Sequence, residues 1–438
     1  MNNSSRMTLA FTLGFVQQTY ASGFIEDGKA TLDLRNFYFN QDTRNQQAAS
    51  DREWGQAFML NYQSGFTEGL VGFGLDLQML YGVRLDASGR AGKADESNTP
   101  GSVFPLSDGK AANDFSKPGA TAKMRLSKTE LKVGTLLPKI PVLVYEDGRL
   151  LPETFRGWQV ESKELDNFNF LTGRIEQVLD RNSTNGQGMS IAGANDPEKG
   201  KFSNQFYYGG VDYSPTRQLK LQYYYGSLED FYQQHFFGLV HDWKLPVGQF
   251  KTDLRYFYST SDGKNSSHSG RAEGYVSSGY YGNGVNAGKV DNRLWSALFT
   301  YSVKGHSLSL GYQQTDGKSD FPHINQGQGR SVYLITNSQS LKFVNAGEDS
   351  TVASYAYDFS TIGLEGLKSS VTYINGRNIK TARQDSSEWE RDIRVEYIVP
   401  SGSFKGLGLT WRGAVLRGND SADKDETRLI LSYSIPLL

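Results

Sequence analysis

Val71-Gly-Phe-Gly-Leu-Asp-Leu-Gln-Met-Leu-Tyr-Gly-Val83 is the stretch that decides the architecture. Its odd positions Val71, Phe73, Leu75, Leu77, Met79, Tyr81 and Val83 are apolar, and its even positions are mostly small or polar. A period of two belongs to a strand with one apolar and one polar face. Strands of globular sandwiches usually end after five or six residues. A strand this long with aromatic residues along its apolar face fits a wall between lipid and a wet interior.

The same grammar recurs outward from this point. Phe58, Leu60 and Tyr62 precede it; Leu219 to Tyr225, Phe250 to Tyr258, Trp295 to Val303, Ala353 to Phe359 and Leu429 to Leu437 repeat it in alternate positions. Turn signals between such sets divide the chain into about eighteen strands, at 30–40, 54–65, 68–85, 118–128, 129–137, 156–163, 166–178, 200–213, 217–227, 232–244, 248–260, 289–303, 305–315, 350–360, 366–376, 387–399, 405–417 and 425–437. Connections alternate between tight turns such as Lys304-Gly305 and long polar segments at 86–117, 138–155, 179–199, 261–288 and 316–349. An even strand count with short turns on one side and long loops on the other predicts an all-β, transmembrane antiparallel barrel. The fixed repeat of a propeller is missing.

Composition agrees. Mean hydropathy is −0.52, and no run of eighteen apolar residues could form a spanning helix, while 25 Tyr, 25 Phe and 6 Trp supply interfacial girdles. With 46 Lys plus Arg against 47 Asp plus Glu there is no global field to attract nucleic acid. Cysteine is absent, which excludes disulfides and thiolate metal sites. His235 and His241 share a strand face but lie about 20 Å apart, too far to share a metal, so neither metal nor cofactor is expected. Arg6 followed by the apolar run Met7–Val16 and a polar segment to Ala21 reads as a signal peptide over 1–21, with a single barrel domain over 22–438.

Once the apolar phase is assigned to lipid, the opposite phase faces the lumen. Arg35, Arg84, Lys123, Arg125, Arg394, Arg412 and Arg428 fall in it, on strands that become neighbours when the barrel closes; the middle strands add mainly Lys251 and Arg255. A basic stripe along a low-dielectric channel draws anions, and an arginine fork binds a carboxylate bidentately. The alternative is that these cations pair with inward acids such as Asp33, Asp76 and Glu396 and only brace the wall. The 138–155 loop has an apolar body, Val142-Leu-Val-Tyr145, unsuited to a solvated tip; folded inward it would bring Arg149 to the constriction. The 316–349 loop has a similar stretch, Val332-Tyr-Leu-Ile335, with Arg330 before it. No Gly-x-Ser-x-Gly, phosphate loop or other catalytic constellation recommends an enzyme.

From about Gly23 to Leu438 the sequence resembles the OprD family of substrate-specific outer-membrane porins, the carboxylate channels. Gly23-Phe-Ile-Glu-Asp27, Leu34-Arg-Asn-Phe-Tyr-Phe-Asn40, Ser64-Gly-Phe-Thr67, Val71-Gly-Phe-Gly74, Arg125-Leu-Ser-Lys-Thr129, Gly148-Arg-Leu-Leu-Pro152, Gly157-Trp-Gln-Val160 and Tyr373-Ile-Asn-Gly376 carry the resemblance. It implies an eighteen-stranded monomeric or weakly associating barrel among outer-membrane lipid and lipopolysaccharide. It also implies a constriction made by the third and seventh external loops, and a basic ladder at Arg35, Arg52, Arg84, Arg125, Arg412 and Arg428 leading to Arg149. Two departures bear on the solute. Ladder cations of amino-acid-type members are replaced by Thr410 and Glu396, and the acid that receives a cationic substrate group aligns with Arg330. Losing an acid and gaining a base disfavours cationic solutes. The expected activity is therefore passive uptake of small carboxylates, above all cyclic or aromatic monocarboxylates. An amino-acid or peptide porin of the same family, or an outer-membrane barrel enzyme, is the alternative.

Overall fold

A computed structural model describes residues 22–44, 50–93, 98–191, 201–281, 286–324, 331–382, 384–419 and 421–438. The segment read as a signal peptide and Arg330 lie outside these residues. Eighteen antiparallel strands form one closed sheet. They are β1 (Lys29–Thr43), β2 (Asp51–Gln63), β3 (Val71–Asp86), β4 (Asp114–Leu126), β5 (Thr129–Leu136) and β6 (Thr154–Ser162). Next come β7 (Phe168–Leu179), β8 (Phe206–Tyr213), β9 (Leu219–Leu228), β10 (Tyr232–Lys244), β11 (Gln249–Ser261) and β12 (Asp291–Val303). The set ends with β13 (His306–Gly317), β14 (Asp349–Asp358), β15 (Leu367–Ile379), β16 (Ser386–Ile398), β17 (Gly408–Gly418) and β18 (Lys424–Pro436).

Each strand pairs with the next, and β1 closes on β18 from Thr31↔Pro436 to Thr43↔Lys424. Closure removes the sheet edge that hydrocarbon could not solvate. Between β12 and β13, Lys304 (φ 46°) and Gly305 (φ 82°) are both left-handed, the two-residue hairpin turn that matches strand twist. Outward phases are as read from the sequence: Phe73, Leu75, Leu77 and Met79 remain exposed, between 37% and 55%.

Two strand starts differ from the sequence reading by more than three residues. β8 begins at Phe206, not at 200. β4 begins at Asp114, so Pro118 lies within a strand and not at its start. Pairing of β4 with β5 stops at Thr121↔Gly134, so Pro118 sits on a stretch of β4 with no β5 partner and its missing N–H breaks no bond to that strand.

The lumen is not uniformly polar. Phe37, Phe39, Leu80 and Phe115 point inward and are buried with Val103, Phe104, Leu150 and Leu151 of external loops L2 (87–113) and L3 (137–153). On the opposite side Phe206, Phe236 and Phe257 bury Val142 and Leu143 of L3 with Val332 and Leu334 of L7 (318–348). The apolar bodies of L3 and L7 therefore fold inward for the ordinary reason that they remove hydrocarbon from water.

Candidate functional site at the loop constriction

L3 and L7 meet against the wall formed by β1 and β18. Arg35 on β1 holds the L3 tip, its Nη1 donating to Asp147 Oδ1 at 2.8 Å and to the Arg149 carbonyl at 2.8 Å. Arg428 on β18 ties the two loops together. Its Nη1 donates to the Gly148 carbonyl at 3.0 Å, its Nη2 to the Gln339 carbonyl at 3.1 Å and its Nε to Glu426 Oε1 at 2.5 Å. Ser331 of L7 donates to Glu146 Oε2 of L3 at 2.9 Å.

Arg149 lies buried inside the barrel where L3 and L7 meet. Its guanidinium lies over the Phe39 ring, 4.2 Å from the centroid, and 3.7 Å from Glu426 Oε2; its buried Nε has no acceptor among the described residues. Beside it is a cavity of about 360 Å³ lined by Glu146, Arg149, Arg181, Lys342, Lys424 and Glu426, among others. Burial, then the neighbouring Arg428 and Arg181, push the Arg149 pKa well below the ordinary arginine value, against Glu426 and Glu146. Burial opposes the charge of Glu146, but Arg181, Lys342 and Arg149 outweigh it and hold this carboxyl below its usual range. Lys342 is brought down to about 8 by burial, with Glu146 pulling the other way. Cations crowded in this manner gain from an incoming anion.

Below the loops, Arg394, Arg412 and Arg428 are cross-strand partners on β16, β17 and β18. Adjacent strands lie about 4.8 Å apart, so the row covers roughly 10 Å of wall. Arg394 is paired with Glu396 and Arg428 with Glu426. Arg412 makes no hydrogen bond or ion pair among the described residues, and it points into the lumen in the phase of the buried Ala414 and Leu416.

The other cations expected at the site are dispersed. Lys123 is 2.6 Å from Asp76 and donates to the Ser64 carbonyl at 3.0 Å; with Arg125 it stacks on Phe66 near the periplasmic turn. Arg84 braces L2 through the Ala111 carbonyl at 2.7 Å and Asn113. In the middle of the sheet Arg255 is held by Asp253 at 2.7 Å. Arg52 is a correction: it shares the phase of the exposed Trp54 and Phe58, so its side chain faces outward at the end of β2 and takes no part in a lumenal ladder. The inward neighbour is Glu53, whose carboxylate accepts the backbone N–H groups of Gly101, Ser102, Val103 and Phe104 at 2.7–3.1 Å. The expectation of wall-bracing ion pairs therefore fits Lys123, Arg394 and Arg428 but not Arg412.

Arg181, Lys342, Glu146 and Glu426 were not singled out by the sequence reading. Glu426 has the phase of Arg428 and was recoverable on that ground; Arg181 and Lys342 sit in loops where no period identifies an orientation.

Comparison with known proteins places this geometry. Residues 22–437 match the family model described as outer membrane porin, OprD family. The porin-like protein GalP of Pseudomonas putida is 33% identical over 437 residues, covering 98% of this chain and 97% of the relative. Among solved structures, Pseudomonas aeruginosa OccK8 (OprE) superimposes with a TM-score of 0.89 at 54% identity, over 95% of this chain and 100% of that one. Pseudomonas aeruginosa OpdK, solved with vanillate, has a TM-score of 0.83 at 34% identity, over 94% and 100% of the two chains.

Proposed function

Since the chain belongs to the OprD family of outer-membrane porins, we propose that it passes small carboxylates, cyclic or aromatic monocarboxylates above all, past Arg412 and the Arg149 constriction. The observation that carries this reading is Arg412, without a partner among the described residues and set between two arginines whose charges are already matched. A carboxylate entering the row meets one free guanidinium and not a continuous surface of them. That limits binding to a strength compatible with release, as conduction requires.

Two features favour a plain monocarboxylate over an amino acid. Glu146 and Glu426, the carboxylates lining the constriction cavity, are both engaged by arginine, Glu146 with Arg181 at 3.4 Å. Neither is left for an ammonium group. Thr410, beside Arg412, donates to Glu396 at 3.4 Å and adds no second cation. OpdK, solved with vanillate, supports an aromatic carboxylate as the solute class.

The test is liposome swelling with purified protein and a panel of benzoate, vanillate, an aliphatic acid, arginine and glucose at matched osmolarity. Benzoate and vanillate should enter fastest and arginine slowest. Equal rates for benzoate and arginine would overturn the proposal.

A further inference from the structure

The outer wall carries a groove of about 870 Å³ where β4 and β5 part, bordered by Leu60, Leu77, Met79, Val133, Trp158 and Arg156. The wall is thin here for local reasons. The β4–β5 ladder ends at Thr121↔Gly134, Gly134 is left-handed (φ 136°), and the β6–β7 register shifts at Arg156/Gly157. Gly119 on the floor fits only because it lacks a side chain, since a Cβ there would lie 2.9 Å from Thr135 Oγ1. Leu60, Leu77, Met79 and Val133 are exposed by 41–49% and face outward, so the surroundings of the groove are hydrocarbon.

Arg156 does not fit that surface unless something meets it. It pairs with Thr135 in the phase of Val133↔Trp158, so its side chain points to the lipid side. Glu176, also at the groove, is 3.4 Å from Arg174, while Arg156 has no ion-pair partner among the described residues. Arg156 is the third residue of β6 after L3, at the outer end of the lipid face, where an anionic headgroup can reach its guanidinium. A groove apolar along its length with one unmatched cation at its side is complementary to an amphiphilic anion.

We propose that this groove binds a single-chain carboxylate from the membrane, a long-chain fatty acid, with the carboxylate on Arg156 and the chain along Leu60, Leu77, Met79 and Val133. The site is separate from the lumen and does not depend on which solute the channel passes.

Trp158 serves as the reporter. The barrel is reconstituted in phosphatidylcholine vesicles and titrated with dibromostearic acid or its methyl ester, and the component of tryptophan quenching lost in Trp158→Phe is followed. Wild type should show saturable quenching by the acid and only gradual quenching by the ester. Arg156→Gln should shift half-saturation by roughly tenfold, the effect of one charge-assisted hydrogen bond, and Arg156→Lys by less. Heat-modifiable migration confirms that each variant is folded. Equal quenching by acid and ester, or an Arg156→Gln titration superimposed on wild type, overturns the proposal. So does loss of the signal on raising protein density in the membrane, which would put a second copy in the groove.

Discussion

Arg412→Gln removes one positive charge from the lumen and no contact made by the wall, because Arg412 has no partner among the described residues. A carboxylate 4 Å from a guanidinium gains about 1 kcal/mol in water and about 4 kcal/mol at an effective dielectric near 20. A wet passage at 0.15 M salt screens toward the lower figure, so about 1–2 kcal/mol is expected, a five- to thirtyfold loss of affinity. The assay is benzoate block of the ion current through single channels, with the reversal potential in asymmetric salt as a second readout. Arg412→Lys should retain anion preference. The paired change Arg394→Gln with Glu396→Gln removes an existing ion pair and leaves the net charge unchanged, so it should alter block by less than about twofold. If Arg412→Gln blocks as wild type does, or the double variant loses as much as Arg412→Gln, a free guanidinium is not what the solute meets.

Three further outcomes follow from the loop contacts. Arg428→Met cuts its own ties to L3 and L7 and leaves Glu426 with Arg149 at 3.7 Å as its remaining cation, a loss of about 3 kcal/mol; open-channel current should become larger and noisier, and L7 should become protease-sensitive. Burial and then Asp180 raise the Glu153 carboxyl from 4.5 to about 8, so the folded loop keeps it protonated where the released loop would ionise it. The Glu153 contribution to L3 docking is therefore complete below about 4.5 and is lost as pH rises to about 8, by up to about 1.4 kcal/mol per pH unit; proteolysis of L3 should rise over that window in wild type and stay flat in Glu153→Gln. Glu53→Ala leaves the N–H groups of Gly101 to Phe104 without their acceptor, on the order of 3 kcal/mol, and should expose 87–113 to protease while ion selectivity stays the same.

Most of the wall was legible because side-chain phase is a local property. Arg35, Arg84, Lys123, Arg125, Arg394, Arg412 and Arg428 were assigned inward by parity, and the structure has them inward. Arg52 entered through family resemblance, although its own parity groups it with Trp54 and Phe58 and already pointed outward. Phase could not say which inward cations are matched. Lys123 finds Asp76 across β3–β4, but the partner of Arg35 is Asp147, on a loop 112 residues away. Inward aromatics were the missing sign: Phe37 and Phe39 interrupt the alternation in β1 because L3 covers them.

The same contacts that bring L7 inward explain why Arg412 is left alone. Acids flanking the arginine row are occupied by the loop. Glu390 accepts the N–H groups of Ser340 at 2.8 Å and Leu341 at 2.6 Å, and Asp392 accepts that of Gln339 at 3.0 Å. Glu426 accepts Gln339 Nε2 at 2.9 Å as well as Arg428. Loop backbone thus orients these carboxylates without removing their charge, Asp392 keeping one oxygen without a partner among the described residues, and Glu396 is taken by Arg394. Docking of the constriction loop therefore fixes where the acids beside Arg412 point. Any change that releases L7 returns acids to the row and should weaken anion preference even with every arginine in place.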